Sequence, residues 1–311
     1  MADKGSIDKM KILRIATRTS PLALWQAHYV QDQLKKINPD YVVELLPLIT
    51  QADKQPSVPL ADIGGKGLFI KELENALLDG RADMAVHSIK DMTVDLTDGL
   101  ILHTVCKRED PRDVFLSTDY KTILDLPAGA IIGSSSLRRQ CQLKTMRPDL
   151  HVKPLRGNVE TRLTKLSGGE FSAIILAAAG LKRLGKTEHI SSYLEIEDWL
   201  PAVGQAAIGV ECRADDALTM GLLIPLDDTR IHTCISAERA MNKYLGGSCW
   251  APIAGYAVLE NTQLTLRGLV GSLDGKKIIH SSAIGSDAEE TGRIVANDLL
   301  AQGAGELLKI R

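Results

Sequence analysis

The sequence has few aromatic residues, little net charge and no long apolar segment. Aromatic residues make up 4% of the chain, which argues against a surface that stacks nucleic-acid bases. Lysine and arginine number 37 against 39 aspartate and glutamate, so the chain as a whole is not basic, although a local basic patch is allowed. No apolar run approaches the roughly 18 residues of a membrane span. We therefore expect neither a nucleic-acid partner nor a membrane partner.

Cysteine is also scarce, and its placement favours reduced thiols. The five cysteines are dispersed, without a CxxC pair, and the N-terminal MADKGSIDKMK has no apolar signal segment. Such a set suits a reducing compartment, so we expect a cytoplasmic protein. No HExxH or CxxC array is present, so no metal site is expected. Buried positions are expected for Cys106, Cys141, Cys212 and Cys234.

Apolar periodicity and turn residues predict alternating strands and helices. KILRIAT (11–17), VVELLPL (42–48) and ADMAVHS (82–88) are typical of strands, and Ser20-Pro21 is typical of a helix start. The alternation restarts near residue 112, with strands at 128–134, 171–180 and 206–212. After about residue 230 the pattern changes to one helix, three segments of alternating apolar and polar residues, and a final helix.

This order predicts an α/β protein with three domains. Two doubly wound α/β domains with mostly parallel sheets come first, and a small α+β domain with a three-stranded antiparallel sheet follows. We expect domain 1 to comprise residues 1–106 plus 206–225, domain 2 residues 107–205, and domain 3 residues 228–311.

The strongest local signal is a basic segment between Ser134 and Lys165. It contains eight cations and two anions, in a chain with a net charge of −2. Several of these cations lie near predicted strand-to-helix turns, where helix N-termini and arginine side chains bind carboxylates or phosphates. The segment therefore indicates a site for a multiply charged anion, and a solvated basic helix face is the alternative.

Lys90-Asp91 directly follows the predicted strand 82–88. Open α/β sheets bind their ligands beyond the carboxyl ends of the strands. An aspartate there is placed to act as a general acid or base, or as the counter-ion of a cationic intermediate. The alternative is an aspartate that caps the next turn.

The segment from Gly180 to Thr187 matches the phosphate-binding pattern GxxxxGK[ST]. Its four variable positions are Leu-Lys-Arg-Leu, which are typical of a helical turn rather than of a loop with exposed N–H groups. We therefore expect a helical turn here, and a phosphotransferase is the third alternative.

Nine segments together resemble the porphobilinogen deaminase family, also called the hydroxymethylbilane synthases. They cover nearly the whole chain in order: IATRTSPLALWQA (15–27), GGKGLFIKELE (64–74), AVHSIKDM (85–92), EDPRD (109–113), GSSSLRRQCQL (133–143), LRGNVETRL (155–163), AAAGLKRLG (177–185), LPAVGQ (200–205) and AERAMN (237–242).

The resemblance implies a fold, a cofactor and an activity. The fold is two similar α/β domains around a cleft, periplasmic-binding-protein-like, and a third domain whose cysteine, by position Cys249, holds a dipyrromethane cofactor through a thioether. The activity is that of a transferase that joins four porphobilinogen units head to tail, with loss of ammonia, and releases hydroxymethylbilane by hydrolysis. The implied partners are porphobilinogen and the growing linear polypyrrole, and we expect a monomer.

The resemblance also gives the basic residues a task. Each pyrrole carries an acetate and a propionate, so the growing chain is a polyanion that a cationic cleft can orient. Asp91 matches the catalytic aspartate of the family. The residues implied to hold the cofactor are Cys249, Lys90, Ser136, Arg138, Arg139, Arg162 and Arg183, and those implied to hold substrate are Arg18, Ser20, Lys66 and Arg156.

The sequence departs from the family pattern at four places. These are the cysteine loop GGSCWAP (246–252), TQAD (50–53), HSIKDMT (87–93) with Met-Thr where Val-Pro is common, and VGQAA (203–207) in place of a VGQG-like string. A non-enzymatic two-lobed protein that binds small anions is the alternative function, because fold alone does not decide between the two. A pyrrole chain bound to Cys249 distinguishes them.

Overall fold

The structure is a computed structural model that describes residues 11–54, 67–247 and 251–308. Lys66 and Cys249 lie outside the described residues. The strands are β1 (Lys11–Arg18), β2 (Tyr41–Leu48), β3 (Met84–Ser88), β4 (Leu100–Val105), β5 (Asp113–Leu116), β6 (Ile131–Gly133), β7 (His151–Lys153), β8 (Ala173–Ala177), β9 (Ser192–Leu194), β10 (Ile208–Arg213), β11 (Ile253–Glu260), β12 (Gln263–Gly271) and β13 (Ile278–Gly285). The α-helices are α1 (Pro21–Ile37), α2 (Gln51–Lys54), α3 (Lys71–Leu78), α4 (Leu137–Met146), α5 (Val159–Ser167), α6 (Ala178–Arg183), α7 (Ala217–Leu223), α8 (Thr229–Tyr244), α9 (Ala288–Ala301) and α10 (Ala304–Leu308).

The first two sheets share one topology. Their strand orders are β2-β1-β3-β10-β4 and β7-β6-β8-β5-β9. In the first sheet β10 is antiparallel to both neighbours, and in the second β5 is, so four of five strands in each run in one direction. Helices cover both faces, since α1 and α3 pack on opposite sides of the first sheet and α5 and α4 on opposite sides of the second. Each sheet is therefore doubly wound and mostly parallel, as predicted.

The path of the chain between the sheets explains the antiparallel strands. β5 follows the first crossing, between Val105 and Asp113, and β10 follows the return crossing, between Leu194 and Ile208. Asp113 pairs with Ala177 at the end of β8, and Ile208 pairs with Ser88 at the end of β3. Because the chain enters each sheet at the edge where the other strands end, the entering strand must run the opposite way.

The third sheet is antiparallel, in the order β11-β12-β13. Its core packs against α8 and α9, with fully buried Met241, Leu266 and Val295 at the contact. The turn after β11 contains Asn261 with φ 54°, and the turn after β12 contains Gly275 with φ 70°, residue types that adopt a positive φ more readily than others. This arrangement confirms the predicted fold class.

Some short strands have no counterpart among the predicted ones, whereas an ambiguous motif has the structure that was expected. Strands without a prediction include β4, β5 and β9, of which β5 has four residues and β9 three. Residues 180–183 of the GxxxxGK[ST] segment lie in the helix α6, so the expected helical turn is confirmed there. Cys106, Cys141, Cys212 and Cys234 are buried free thiols, as expected.

Candidate active site

The carboxyl ends of β1 and β3 carry four of the candidate residues. Arg18 ends β1, and Ser20 caps α1 by accepting a hydrogen bond from the Ala23 N–H at 3.4 Å. Lys90 and Asp91 belong to a short 3₁₀ turn, Ile89–Asp91, directly after β3. Arg18, Ser20 and Asp91 line one cavity. They meet there because β1 and β3 are parallel neighbours that end at the same edge.

Arg18 is held by a carboxylate and an aromatic ring. Its Nε donates to Asp53 Oδ2 at 3.2 Å, and its Nη2 donates to Oδ1 at 2.5 Å. The guanidinium carbon lies 4.6 Å from the ring centroid of Phe69, within the range of a cation–π contact. Burial raises the pKa of Asp53, but hydrogen bonds from Arg18 and Thr50 outweigh it and hold this pKa below its ordinary value. The orientation of Arg18 is therefore fixed from two sides.

The second sheet contributes residues at the start of α4. Ser136 caps this helix by accepting a hydrogen bond from the Arg139 N–H at 3.4 Å. Arg138 and Arg139 are only 4% and 7% exposed, so each needs buried partners. The fully buried Asp113 on β5 supplies one to each, since Arg138 Nη1 lies 2.8 Å from its Oδ2 and Arg139 Nη2 lies 2.7 Å from its Oδ1.

The next βα unit of the second sheet carries Arg156 and Arg162. Arg156 lies in the loop between β7 and α5, and Arg162 on α5 donates through Nε to the Gly157 carbonyl at 2.8 Å. Gly157 has φ +107°, and a Cβ there would lie 2.6 Å from Thr161 Cβ, so this turn requires glycine. The turn thereby directs the helix start and both arginines to the same edge of the sheet as α4.

Charged side chains of the first sheet interact electrostatically with those of the second. We call Lys90, Arg138, Arg139, Arg156 and Arg162 the cationic cluster. Burial lowers the pKa of Lys90 to about 8, and Asp91 opposes this shift while Arg139 and Arg138 add to it. Burial lowers the pKa of Arg162 to about 10, again with Arg139 adding and Asp91 opposing. The electrostatic neighbours of Asp91 thus include cations of both sheets, so the two edges form one positively charged cleft.

The cluster contains donors without acceptors. The buried Nε atoms of Arg138 and Arg139 have no hydrogen-bond partner among the described residues. An unsatisfied buried donor costs about 1–3 kcal/mol, and more on a charged group. Among the described residues, the carboxylates of Asp91 and Asp113 act on the charge of Lys90, and the carboxylate of Asp91 acts on that of Arg162. The arrangement therefore suits a ligand that brings several carboxylates of its own.

Arg183 makes different contacts from the cationic cluster. Its Nη2 donates to the Ala206 carbonyl at 2.6 Å, and its guanidinium lies 5.6 Å from the ring of Trp25. Burial lowers its pKa, opposed by Glu109, Cys106 and Tyr29, none of which belongs to the cluster. Arg183 thus links α6 to the return crossing and to α1.

The structure adds Asp53, Asp113 and Gln205 to the candidate residues, which sequence reasoning did not single out. Asp113 and Gln205 lie within EDPRD and LPAVGQ, two of the resembling segments, so the signal was present without a role attached. Of the twelve residues singled out, ten are described, and Lys66 and Cys249 are not.

The described residues contain neither a cluster of metal ligands nor a membrane-spanning helix. No group of three or more histidine, cysteine, aspartate or glutamate side chains among them is placed to hold a metal ion. No helix in the described part of the chain is long and apolar enough to cross a membrane.

Two family models match the chain. The model described as "Porphobilinogen deaminase, dipyromethane cofactor binding domain" matches residues 13–221. The model described as "Porphobilinogen deaminase, C-terminal domain" matches residues 232–301. Together they span both doubly wound sheets and most of the third domain.

Solved structures of similar fold include three bacterial proteins. A nutrient binding protein from Burkholderia cenocepacia bound to methionine is 13% identical, with a TM-score of 0.43 over 68% of this chain and 90% of that one. The periplasmic aliphatic sulphonate binding protein SsuA from Escherichia coli is 15% identical, with a TM-score of 0.42 over 75% and 70%. The BvgS VFT2 domain from Bordetella pertussis is 16% identical, with a TM-score of 0.41 over 68% and 84%. At this identity they say nothing about the chemistry of the cleft.

Proposed function

Since this chain belongs to the porphobilinogen deaminase family of transferases, which carry a dipyrromethane cofactor and act in tetrapyrrole synthesis, we propose that it joins four porphobilinogen units head to tail and releases hydroxymethylbilane by hydrolysis. The observation that carries this proposal is the cationic cluster beside Asp91. A polyanionic chain of pyrroles needs such a surface, and a carrier of one small anion does not.

The residues of the cleft fit the dipyrromethane group. Its two pyrroles bring four carboxylates, and the cluster offers two buried Nε–H donors, those of Arg138 and Arg139, that lack an acceptor among the described residues. We propose that Cys249 anchors the group and that Lys90, Ser136, Arg138, Arg139 and Arg162 hold its acids. When bound, the group supplies the free ring carbon on which the first new bond is made.

Asp91 is proposed as the catalytic residue. When porphobilinogen loses ammonia, the C–N electron pair leaves with nitrogen and a cationic methylene-pyrrolenine remains. A carboxylate oxygen of Asp91 stabilises this cation and then accepts the proton that the attacking ring carbon loses. Lys90 and Arg162 lie close enough to Asp91 to interact with its charge.

Arg18, Ser20, Lys66 and Arg156 are proposed to hold the incoming porphobilinogen. Arg18 and Ser20 support this because they share a cavity with Asp91. Arg183 is proposed to hold the cofactor as well, and its contacts among the described residues include Ala206 and Trp25.

We also propose the division into domains 1–106 plus 206–225, 107–205 and 228–311, because each of the three sheets draws its strands from one of these sets. A monomer in the cytoplasm is proposed as well. The buried free thiols Cys106, Cys141, Cys212 and Cys234 suit a reducing compartment.

The first test is the mass and the activity of the purified chain. The wild-type chain is expected to carry a covalent pyrrole, seen by intact-protein mass spectrometry and by colour with an acidic aldehyde reagent. Cys249→Ser is expected to lose the adduct, and Asp91→Asn is expected to keep it while turnover of porphobilinogen falls about 100-fold or more, the scale of acid–base and electrostatic contributions.

Two variants serve as controls. Cys234→Ala removes a buried thiol and is expected to retain the adduct. Asp95→Asn removes an exposed carboxylate four residues beyond Asp91 and is expected to keep normal turnover. An adduct retained in Cys249→Ser places the anchor elsewhere, and normal turnover in Asp91→Asn removes Asp91 from its role. A wild-type chain that binds porphobilinogen without consuming it indicates the non-enzymatic alternative.

A further inference from the structure

The carboxylate of Asp113 is the centre of a buried hydrogen-bond network under the cationic cluster. Its Oδ2 accepts from Trp199 Nε1 at 2.8 Å and lies 2.8 Å from Arg138 Nη1. Its Oδ1 accepts from Arg139 Nη2 at 2.7 Å and from Gln205 Nε2 at 2.9 Å. Both oxygens are therefore used twice, and Asp113 is 0% exposed.

This network fixes the direction in which each guanidinium faces. Arg138 Nη1 also donates to the Leu200 carbonyl at 2.9 Å, and Arg139 Nη1 donates to the Ile175 carbonyl at 2.8 Å. Each arginine is thus held through its terminal nitrogens, while its Nε has no partner among the described residues. Each guanidinium thus keeps one charged N–H donor, at Nε, that no described residue uses.

Asp113 keeps its charge in this position. Burial raises the pKa of its carboxyl, but Arg138 and Arg139 outweigh burial and hold this pKa well below the ordinary value. One permanent negative charge beneath two positive charges leaves a net attraction for an acid. It also offsets the repulsion between two neighbouring guanidiniums.

The network also reaches the crossing segments between the two lobes. Asp113 is the first residue of β5, directly after the first crossing, and Gln205 lies on the return crossing. Gln205 Nε2 donates to the Pro111 carbonyl at 2.7 Å as well as to Asp113. The position of the two arginines is therefore tied to both crossings through one carboxylate.

We propose that Asp113 is a positioning residue that orients Arg138 and Arg139 for the acid side chains of the pyrroles, with Trp199 and Gln205 holding its carboxylate in place. This inference rests on the proposed function. It assigns Asp113 no contact with substrate, so its effect passes through the two arginines.

The test compares Asp113→Asn with the matched variant Glu238→Gln in the loaded enzyme. The amide of Asp113→Asn places a donor against guanidinium N–H groups, so KM for porphobilinogen is expected to rise about tenfold or more while kcat changes less than threefold. The fraction of chains that carry the pyrrole adduct is expected to fall by intact-protein mass spectrometry. The Trp199 indole N–H resonance is expected to move upfield because its charged acceptor is lost.

Glu238 is a suitable control because it is equally buried and also pairs with an arginine, Arg108, outside the cationic cluster. Glu238→Gln is expected to lower Tm and to leave KM within twofold of wild type. Should Asp113→Asn fail to fold, Trp199→Phe provides the second variant. It keeps the charge of Asp113, removes one donor to it at the cost of a cavity in the core, and is expected to raise KM about threefold.

The outcomes separate the two proposals. A wild-type chain without turnover and without a pyrrole adduct contradicts the proposed function itself. A wild-type chain with both, combined with Asp113→Asn that loses Tm as Glu238→Gln does but keeps the wild-type KM, adduct fraction and indole resonance, shows a merely structural role for Asp113. A structural role also follows if Asp113→Asn does not fold and Trp199→Phe keeps the wild-type KM.

Discussion

At the scale of single residues, Lys90 shows how burial and charge compete in the cleft. Burial lowers its pKa from the ordinary 10.5 to about 8, and the neighbouring Asp91 only partly restores it. Lys90 is therefore fully charged well below pH 8 and loses its charge above it. A lysine side chain binds carboxylates best when it is protonated, so the affinity for an acidic ligand is expected to fall as Lys90 loses its proton.

We predict that kcat/KM for porphobilinogen falls as the pH rises from about 7 to 9, because the free enzyme loses the charge of Lys90. Lys90→Arg is expected to remove this fall, since arginine stays charged in this range. Initial-rate profiles of the two enzymes test the prediction, with the exposed Lys107→Arg as the control. A Lys90→Arg profile that still falls in the same range assigns the titration to another group.

The low pKa of Lys90 also predicts a pH dependence of stability. The free energy of unfolding of the unloaded chain should rise from about pH 8 to 10.5, because in this range the unfolded state binds more protons than the folded state.

Ala206 illustrates a departure from the family pattern that the structure explains only locally. It lies in VGQAA and has φ 72°, a left-handed conformation that costs a non-glycine residue roughly 1 kcal/mol. Its carbonyl accepts from Arg183 and from the backbone N–H of Glu109. The strained conformation is therefore held by contacts from both sides of the crossing.

At the scale of elements, the 3₁₀ turn that carries Asp91 is packed against two glycines. Gly204 has φ +70°, and a Cβ there would lie 2.5 Å from Ile89 Cγ2. A Cβ on Gly209 would lie 2.9 Å from Ile89 Cγ1. The return crossing and β10 thus pack directly against the Ile89–Asp91 turn. The position of Asp91 therefore depends on segments more than 100 residues away in sequence.

We predict that Gly204→Ala lowers the free energy of unfolding by about 1–3 kcal/mol and lowers kcat, because it combines an unfavourable φ with a displacement of the Ile89–Asp91 turn. Thermal unfolding and initial rates measure the two effects. Gly221→Ala in α7 is the matched control, since its added Cβ meets nothing within 4 Å and alanine favours a helix by about 0.5–1 kcal/mol. Wild-type Tm and kcat in Gly204→Ala would show that the crossing tolerates the added methyl and does not set the turn.

At the scale of the whole molecule, one buried carboxylate ties the three sheets together. Glu238 on α8 accepts from Arg108 Nη1 at 2.6 Å, from the Gly204 N–H at 2.7 Å and from the Ala257 N–H at 2.9 Å. Arg108 and Gly204 belong to the two crossings, and Ala257 belongs to β11. α4 adds a second contact with the third domain, since Thr145 Oγ1 donates to the Gly275 carbonyl at 2.7 Å.

When no acid occupies the cationic cluster, we expect repulsion among its cations to lower the stability of the folded protein. We predict that unloaded Cys249→Ser melts below the loaded wild type, since a ligand that binds only the folded state stabilises it. Sodium chloride from about 0.05 to 0.5 M is expected to raise the Tm of the unloaded chain more than that of the loaded chain, because salt screens like charges. Calorimetry of both proteins tests this. Equal responses to salt would mean that repulsion within the cluster is already neutralised inside the protein.

Much of the fold and part of the site follow from local sequence. An apolar run predicts β1, and the Ser20 cap with Pro21 predicts the start of α1. The Ser136 cap marks the start of α4 in the same way. The places of Arg18, Arg138 and Arg139 relative to these elements can therefore be predicted from the sequence. The four-residue strand β5 cannot be predicted from its local sequence in this way. It follows Pro111 and Arg112, is too short to show a period, and takes its direction from the crossing.

The sequence by itself determined the element types, the excess of positive charge between residues 134 and 165, and the family. Helix caps, apolar periodicity and composition depend only on residues close together in the sequence, so they can be determined without knowledge of the fold. Only the tertiary structure placed Asp113 beneath Arg138 and Arg139, Gly204 against Ile89, and Lys90 among arginines of the other lobe. These contacts join residues from 25 to more than 100 positions apart, and they depend on where the chain crosses between the sheets.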